Sequence, residues 1–112
     1  MNTIERHIWD YLTIMNRLGE KEQMEQFPNH PNLRSHFSMV DGRKYVKVVS
    51  HYNDGTSKSV HAFIDKTTGD LYKAASRNAP AKGVRYNLLT DLPRIEQTAD
   101  VYGAYLYKIT IR

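Results

Sequence analysis

Tyr45-Val46-Lys47-Val48-Val49-Ser50-His51-Tyr52, then Asn53-Asp54-Gly55-Thr56, then Ser57-Lys58-Ser59-Val60-His61-Ala62-Phe63-Ile64 is the stretch that decides the fold. Two runs rich in β-branched and aromatic residues bracket an Asp-Gly turn, the arrangement that closes a tight hairpin. Working forward, Asp65-Lys66-Thr67-Thr68-Gly69-Asp70 is a second turn, and Leu71 to Ser76 a third strand. Working back, His36 to Val40 and Asp41-Gly42 supply an earlier strand and another turn. The result is an antiparallel meander over 35–76. With Asp54 and Gly55 as the loop, Val49 faces Val60 and Val48 faces His61; with Lys66 to Gly69 as the second loop, Ile64 faces Leu71. In that register Val46, Val48, His61, Phe63, Tyr72 and Ala74 share one face. Tyr45, Lys47, Val49, Val60, Ala62, Ile64, Leu71, Lys73 and Ala75 share the other. Neither face is cleanly polar, so both want partial cover, one from a helix and the other from the C-terminal third or a second subunit in a homodimer.

Ahead of the meander, Ile4, Ile8, Tyr11, Leu12, Met15 and Leu18 recur at spacings of three and four. That predicts an amphipathic helix within 1–26, its apolar stripe laid on the sheet. Asn2 with Glu5 three residues later reads as a capping box, and Gly19 as a stop followed by a further polar helical turn or two before Pro28. Beyond the meander, Pro80 to Leu89 reads as a short helix, and Asp91 to Ala99 as another helical turn. Val101 to Ile111 reads as a terminal strand added to the sheet. The expected fold class is therefore α+β: an N-terminal helix packed on a four- or five-stranded, mainly antiparallel sheet, in a single domain spanning 1–112.

The chain has 112 residues, 40% of them hydrophobic and 25% charged, with 6 Gly and 4 Pro. That balance suits a folded protein and leaves no low-complexity segment. There is no cysteine, which removes disulfides, thiolate metal sites and thiol nucleophiles together. The N-terminus is polar and no apolar run approaches the roughly 18 residues of a membrane span, so no membrane partner and a cytoplasmic location are expected. No cofactor is called for. Of the five histidines, His51 and His61 project to opposite faces in the register above, and His30 and His36 lack helical ligand spacing, so no metal site is expected. Asp65 and Asp70 flank a turn, where aspartate is favoured because it bonds its own backbone. No Gly-x-Ser-x-Gly, paired-carboxylate or phosphate-cradling glycine pattern occurs, and an enzyme is not the expectation.

Charge is unevenly placed. Residues 1–34 hold four basic and five acidic side chains, residues 35–90 nine and four, and residues 91–112 three and three. The net +4 thus belongs to the central block, and within 71–90 Lys73, Arg77, Lys82 and Arg85 stand with no acid among them. Tyr72, Tyr86, Asn78 and Asn87 are interleaved. Cations neutralise phosphate and aromatic faces stack on unpaired bases, so this pattern points to DNA or RNA. The contacts assigned from sequence are Lys73, Arg77, Asn78, Lys82, Arg85 and Asn87. The competing expectation is a protein-binding modulator of a host or defence factor, acting through a Tyr-rich sheet (the chain has eight Tyr) or the apolar helix face. A ligand-binding cleft lined by His61 and Tyr72 is the third.

The run Val60-His61-Ala62-Phe63-Ile64-Asp65-Lys66-Thr67-Thr68-Gly69-Asp70-Leu71-Tyr72-Lys73-Ala74-Ala75-Ser76, continuing through Ala79-Pro80-Ala81-Lys82 to Asn87, resembles a segment of short uncharacterised proteins encoded by tailed bacteriophages. Tyr102-Gly103-Ala104-Tyr105-Leu106 resembles their C-terminal ending. Arg77 stands where many of those proteins carry an aromatic residue. The resemblance implies a phage or prophage origin and a host-cytoplasm location, and carries no reaction with it.

Overall fold

The computed structural model describes residues 2–52 and 57–107. The predicted turn at 53–56 and residues 108–111 of the predicted terminal strand lie outside them. Helix α1 spans Thr3–Gln26. Its start is fixed by Asn2, whose Oδ1 accepts the Glu5 backbone N–H at 2.8 Å. Ile8, Tyr11, Leu12 and Met15 are buried on one face, so the apolar stripe is core. The helix does not stop at Gly19. A Cβ there would run into the Ser35 carbonyl oxygen, so glycine serves close approach of α1 to the chain entering the sheet rather than termination. One turn on, buried Gln23 donates to the Phe27 carbonyl at 2.8 Å and accepts from Arg34 at 3.0 Å, closing the helix end before Pro28.

Strands β1 (His36–Asp41), β2 (Tyr45–Tyr52), β3 (Ser57–Asp65), β4 (Asp70–Lys73) and β5 (Tyr86–Asn87) form a five-stranded sheet in sequential, antiparallel order. Val49 opposes Val60 and Ile64 opposes Leu71, as the sequence predicts, but Val48 opposes Ala62 rather than His61. A β-bulge between Val48 and Val49 places two β3 residues, His61 and Ala62, against one partner. That single extra residue exchanges the faces of half the hairpin. Val46, Val48, Ala62, Ile64 and Leu71 are buried together with Phe37 on the covered face, whereas Tyr45, Lys47, Phe63 and Tyr72 turn to the open one. His61 is buried on the covered face, and His51 lies on the open face with Nε2 2.7 Å from Ser38 Oγ.

The last third departs from its sequence reading. Residues 80–85 are not helical; Pro80 makes an isolated bridge to Ala74, and Tyr86–Asn87 supplies the fifth strand. Helix α2 then spans Leu88–Thr98, capped by Asn87, whose Oδ1 accepts the Leu89 N–H while its own N–H donates to Asp91. Val101 to Tyr107 adds no strand. Asp100 accepts the backbone N–H groups of Tyr102, Ala104 and Tyr105, and Gly103 takes φ 85°, which curls the chain into a 3-10 turn at Ala104–Leu106. Leu88 and Ile95 of α2, with Val101 and Leu106, complete the core against α1 and the sheet. Each such buried aliphatic side chain contributes about 1.5–3 kcal/mol. Both helices and the 101–107 segment thus cover one face of the sheet.

Candidate nucleic-acid interface

The other face is open, and its side chains follow from the register. Across one row stand Val40, Lys47, Phe63 and Tyr72; across the next, Ser38, Val49 and Val60; across the third, His36, His51 and Lys58. Val40 is 54% exposed, which no covered-face strand aliphatic approaches. Tyr45 meets Phe63 edge-on at 6.0 Å and Tyr72 edge-on at 5.9 Å, so three aromatic rings form one cluster with Phe63 at its base. Lys44 Nζ lies 5.3 Å from the Tyr45 ring centre and Lys47 Nζ 6.0 Å from that of Phe63. Beside the cluster is a shallow groove of about 370 Å³ whose lining includes Lys47, His51, Lys58 and Arg77 and, among the described residues, no carboxylate.

Two carboxylates lie at the far end of this face, and both are engaged. Asp65 accepts the Thr67 and Thr68 backbone N–H groups, and Asp70 accepts from the Asn87 amide. Partial desolvation, then Asp70, Tyr45 and Asp65, hold the Tyr72 phenol above its ordinary value against the opposing Lys44. Tyr72 therefore presents an uncharged, hydroxyl-tipped ring.

The six residues assigned from sequence separate. Arg77 is exposed in the groove beside Lys47 and Lys58. Asn78 and Lys82 are exposed on the loop that follows. Lys73 is on the opposite side of the sheet, paired across from Ala62, with its Nζ 4.7 Å over the Tyr107 ring. Arg85 is a clamp: Nε donates to the Leu106 carbonyl at 2.6 Å, and Nη1 to the carbonyls of Lys82 and Gly83. Asn87 ties the α2 cap to the Thr68 carbonyl and Asp70. Lys44, Lys47, Lys58 and Tyr45, which sequence reading did not assign, form the denser basic and aromatic group. Their signal was the alternation of Tyr45 and Lys47 along β2, hidden by a register that put them with core residues.

Behind the sheet lies a second concavity, of about 370 Å³, with His61, Ser50, Ser59 and Lys73 in its lining. His61 Nε2 is 2.8 Å from the Tyr105 hydroxyl, which is 2.6 Å from that of Tyr11. Burial pushes the imidazole down to about 4, opposed by Asp100, and pushes the Tyr105 and Tyr11 phenols up. All three groups are neutral at pH 7. Tyr72 is on the other face, so no cleft joins it to His61.

Fold and site together define an α+β domain whose antiparallel sheet is helix-covered on one face and open, basic and aromatic on the other. The chain belongs to the family of unknown function DUF7717, matched over residues 1–108. No curated protein and no solved structure matches it. Among the described residues no helix is long and apolar enough to cross a membrane.

Proposed function

We propose that the chain is a non-enzymatic module that holds single-stranded nucleic acid on its open sheet face. The observation that carries this reading is the Tyr45–Phe63–Tyr72 cluster with Lys44 and Lys47 against its rings and Lys58 and Arg77 in the adjoining groove. A sheet face carrying the half-buried rings of Tyr45 and Tyr72 over buried Phe63 accepts splayed bases, which a duplex does not offer. Tyr45 and Tyr72 stack on bases; Lys44, Lys47, Lys58 and Arg77 neutralise phosphates, and Asn78 and Lys82 extend the path along the exposed loop. Arg85 and Asn87 hold that loop and the α2 start in shape. The phage-protein resemblance of 60–87 supports action in the cytoplasm of a bacterial host.

Anisotropy titrations with a labelled single-stranded oligonucleotide of about 12 nucleotides test it, against the same sequence as duplex. Binding that prefers the single strand and is lost on combining K47E, K58E and R77E supports the reading. Absence of binding at low salt ends it, and co-purification of a host protein that survives nuclease treatment assigns the face to protein instead.

A further inference from the structure

The cleft behind the sheet shares Ser59 and Val60 with the groove of the open face but is built on His61 and the 101–107 segment, and a hydrogen-bond chain lies at its base. Tyr11 is fully buried and its hydroxyl meets the Tyr105 oxygen, so its proton is donated there. Tyr105 then has one proton and two neighbours, His61 Nε2 at 2.8 Å and Met15 Sδ at 3.6 Å. Imidazole nitrogen is the stronger acceptor and the closer one. With that proton given to the imidazole rather than to Met15, Nε2 accepts and the neutral ring carries its hydrogen on Nδ1. That Nδ1–H has no hydrogen-bond partner among the described residues, although His61 is only 8% exposed. It lies beside Gly103, where the φ of 85° favours glycine and a Cβ would stand 3.7 Å from the nitrogen.

Around this donor the cleft is lined by the Ser50 and Ser59 hydroxyls, which face each other across β2 and β3, and by Lys73. Lys73 has a long bond of 3.3 Å to the Ala74 carbonyl and no carboxylate partner among the described residues. Among the described residues no acidic side chain lines the cleft itself; Glu22 bonds the Tyr102 hydroxyl at its rim, and the nearby Asp100 is already held by three backbone N–H groups. The mouth is aromatic: Tyr102 and Tyr107 are 77% and 63% exposed. Donors at the base ask for an anion, and rings at the rim ask for a flat group attached to it.

We propose that this cleft binds a phosphate monoester carried on an aromatic base, a mononucleotide unit, with the phosphate on His61 Nδ1–H, Lys73 and the two serines and the base against Tyr102 and Tyr107. The inference does not rest on the sheet-face reading. Such a unit has two sources, a free nucleotide or the phosphorylated end of a strand, and they are separable by titration.

Calorimetric or NMR titration of the full chain with adenosine 5′-monophosphate tests it, with adenosine and inorganic phosphate as the two halves of the ligand. The expected result is saturable binding that weakens about tenfold or more with adenosine, and again with the Lys73→Met variant. Lys73→Met removes a half-exposed cation and leaves the fold, checked by circular dichroism, in place. The combined K47E, K58E and R77E variant should bind the nucleotide as the wild type does, which separates this site from the sheet face. Tighter binding of a 5′-phosphorylated oligonucleotide to that triple variant assigns the strand end, and tighter binding of the mononucleotide assigns the free ligand; both support the cleft. Independently, nitrogen-15 spectra of the free protein should show His61 protonated on Nδ1 and that resonance moving on ligand addition. No saturable binding up to about 10 mM, binding indifferent to Lys73→Met, or an imidazole protonated on Nε2 overturns the proposal.

Discussion

Replacing His61 with Gln should remove most of one identifiable contribution to acid sensitivity. His61 is buried, its folded-state pKa is pushed from 6.5 to about 4, and desolvation is the main cause. The unfolded chain takes up a proton at this ring once the pH falls below 6.5, and the folded chain does so only near 4. Stability is therefore undiminished above 6.5 and is lost progressively as the pH falls toward 4. Between about pH 7.5 and about pH 4.5 the linkage integrates to about 2–3 kcal/mol, or about 10 °C in Tm for a chain of this length. Gln keeps an acceptor for the Tyr105 hydroxyl but does not titrate. Urea unfolding of both proteins across that range should show the wild-type advantage over His61→Gln shrinking by about 2–3 kcal/mol on acidification, since shared carboxylate effects cancel in the difference. Parallel loss of stability in the two proteins would refute the argument that this imidazole is held neutral by burial.

Other expectations are structural. Gly19→Ala, ordinarily helix-favouring by about 1 kcal/mol, should instead destabilise by about 1–3 kcal/mol, because its Cβ meets the Ser35 carbonyl; thermal denaturation reads the sign directly. Asn87→Ala removes the α2 cap together with the bonds to Thr68 and Asp70 and should cost about 1–2 kcal/mol in urea titrations, more than Asn2→Ala, whose side chain makes one capping bond. Tyr45→Ala combined with Tyr72→Ala should weaken single-strand binding by at least about tenfold with little change in its salt slope, since stacking rather than charge is lost.

The meander was legible because strand runs and Gly-bearing turns alternate from His36 to Leu71, and the N-terminal helix because its stripe repeats at three and four. What hid the make-up of the open face was one residue. The bulge at Val48/Val49 is a backbone event with no side-chain signature in the Val48-Val49-Ser50 run, yet it moves Tyr45 and Lys47 away from Ala62, Ile64 and Leu71. With the faces exchanged, the aromatic and basic residues of β2 and β3 assemble on the open side, and the patch moves from 73–87 toward Lys44, Lys47, Lys58 and Arg77. The C-terminal run misled for another reason. Val101 to Tyr107 has strand-like composition, but Asp100 offers three backbone N–H groups a side-chain acceptor, and this local bonding prevails over β propensity. Gly19 was legible as glycine but not as a contact, because its neighbour, Ser35, is distant in sequence.

On the proposed reading, the open sheet face holds a single strand through about four phosphate contacts, from Lys44, Lys47, Lys58 and Arg77. The most direct measurement is the salt dependence of single-strand affinity by fluorescence anisotropy, wild type against the combined K47E, K58E and R77E variant. Four neutralised phosphates should give a slope of log K on log salt of about −3 for the wild type, with the slope and low-salt affinity collapsing in the variant. A wild type that does not bind at low salt, or a variant that binds with an unchanged slope, would contradict it.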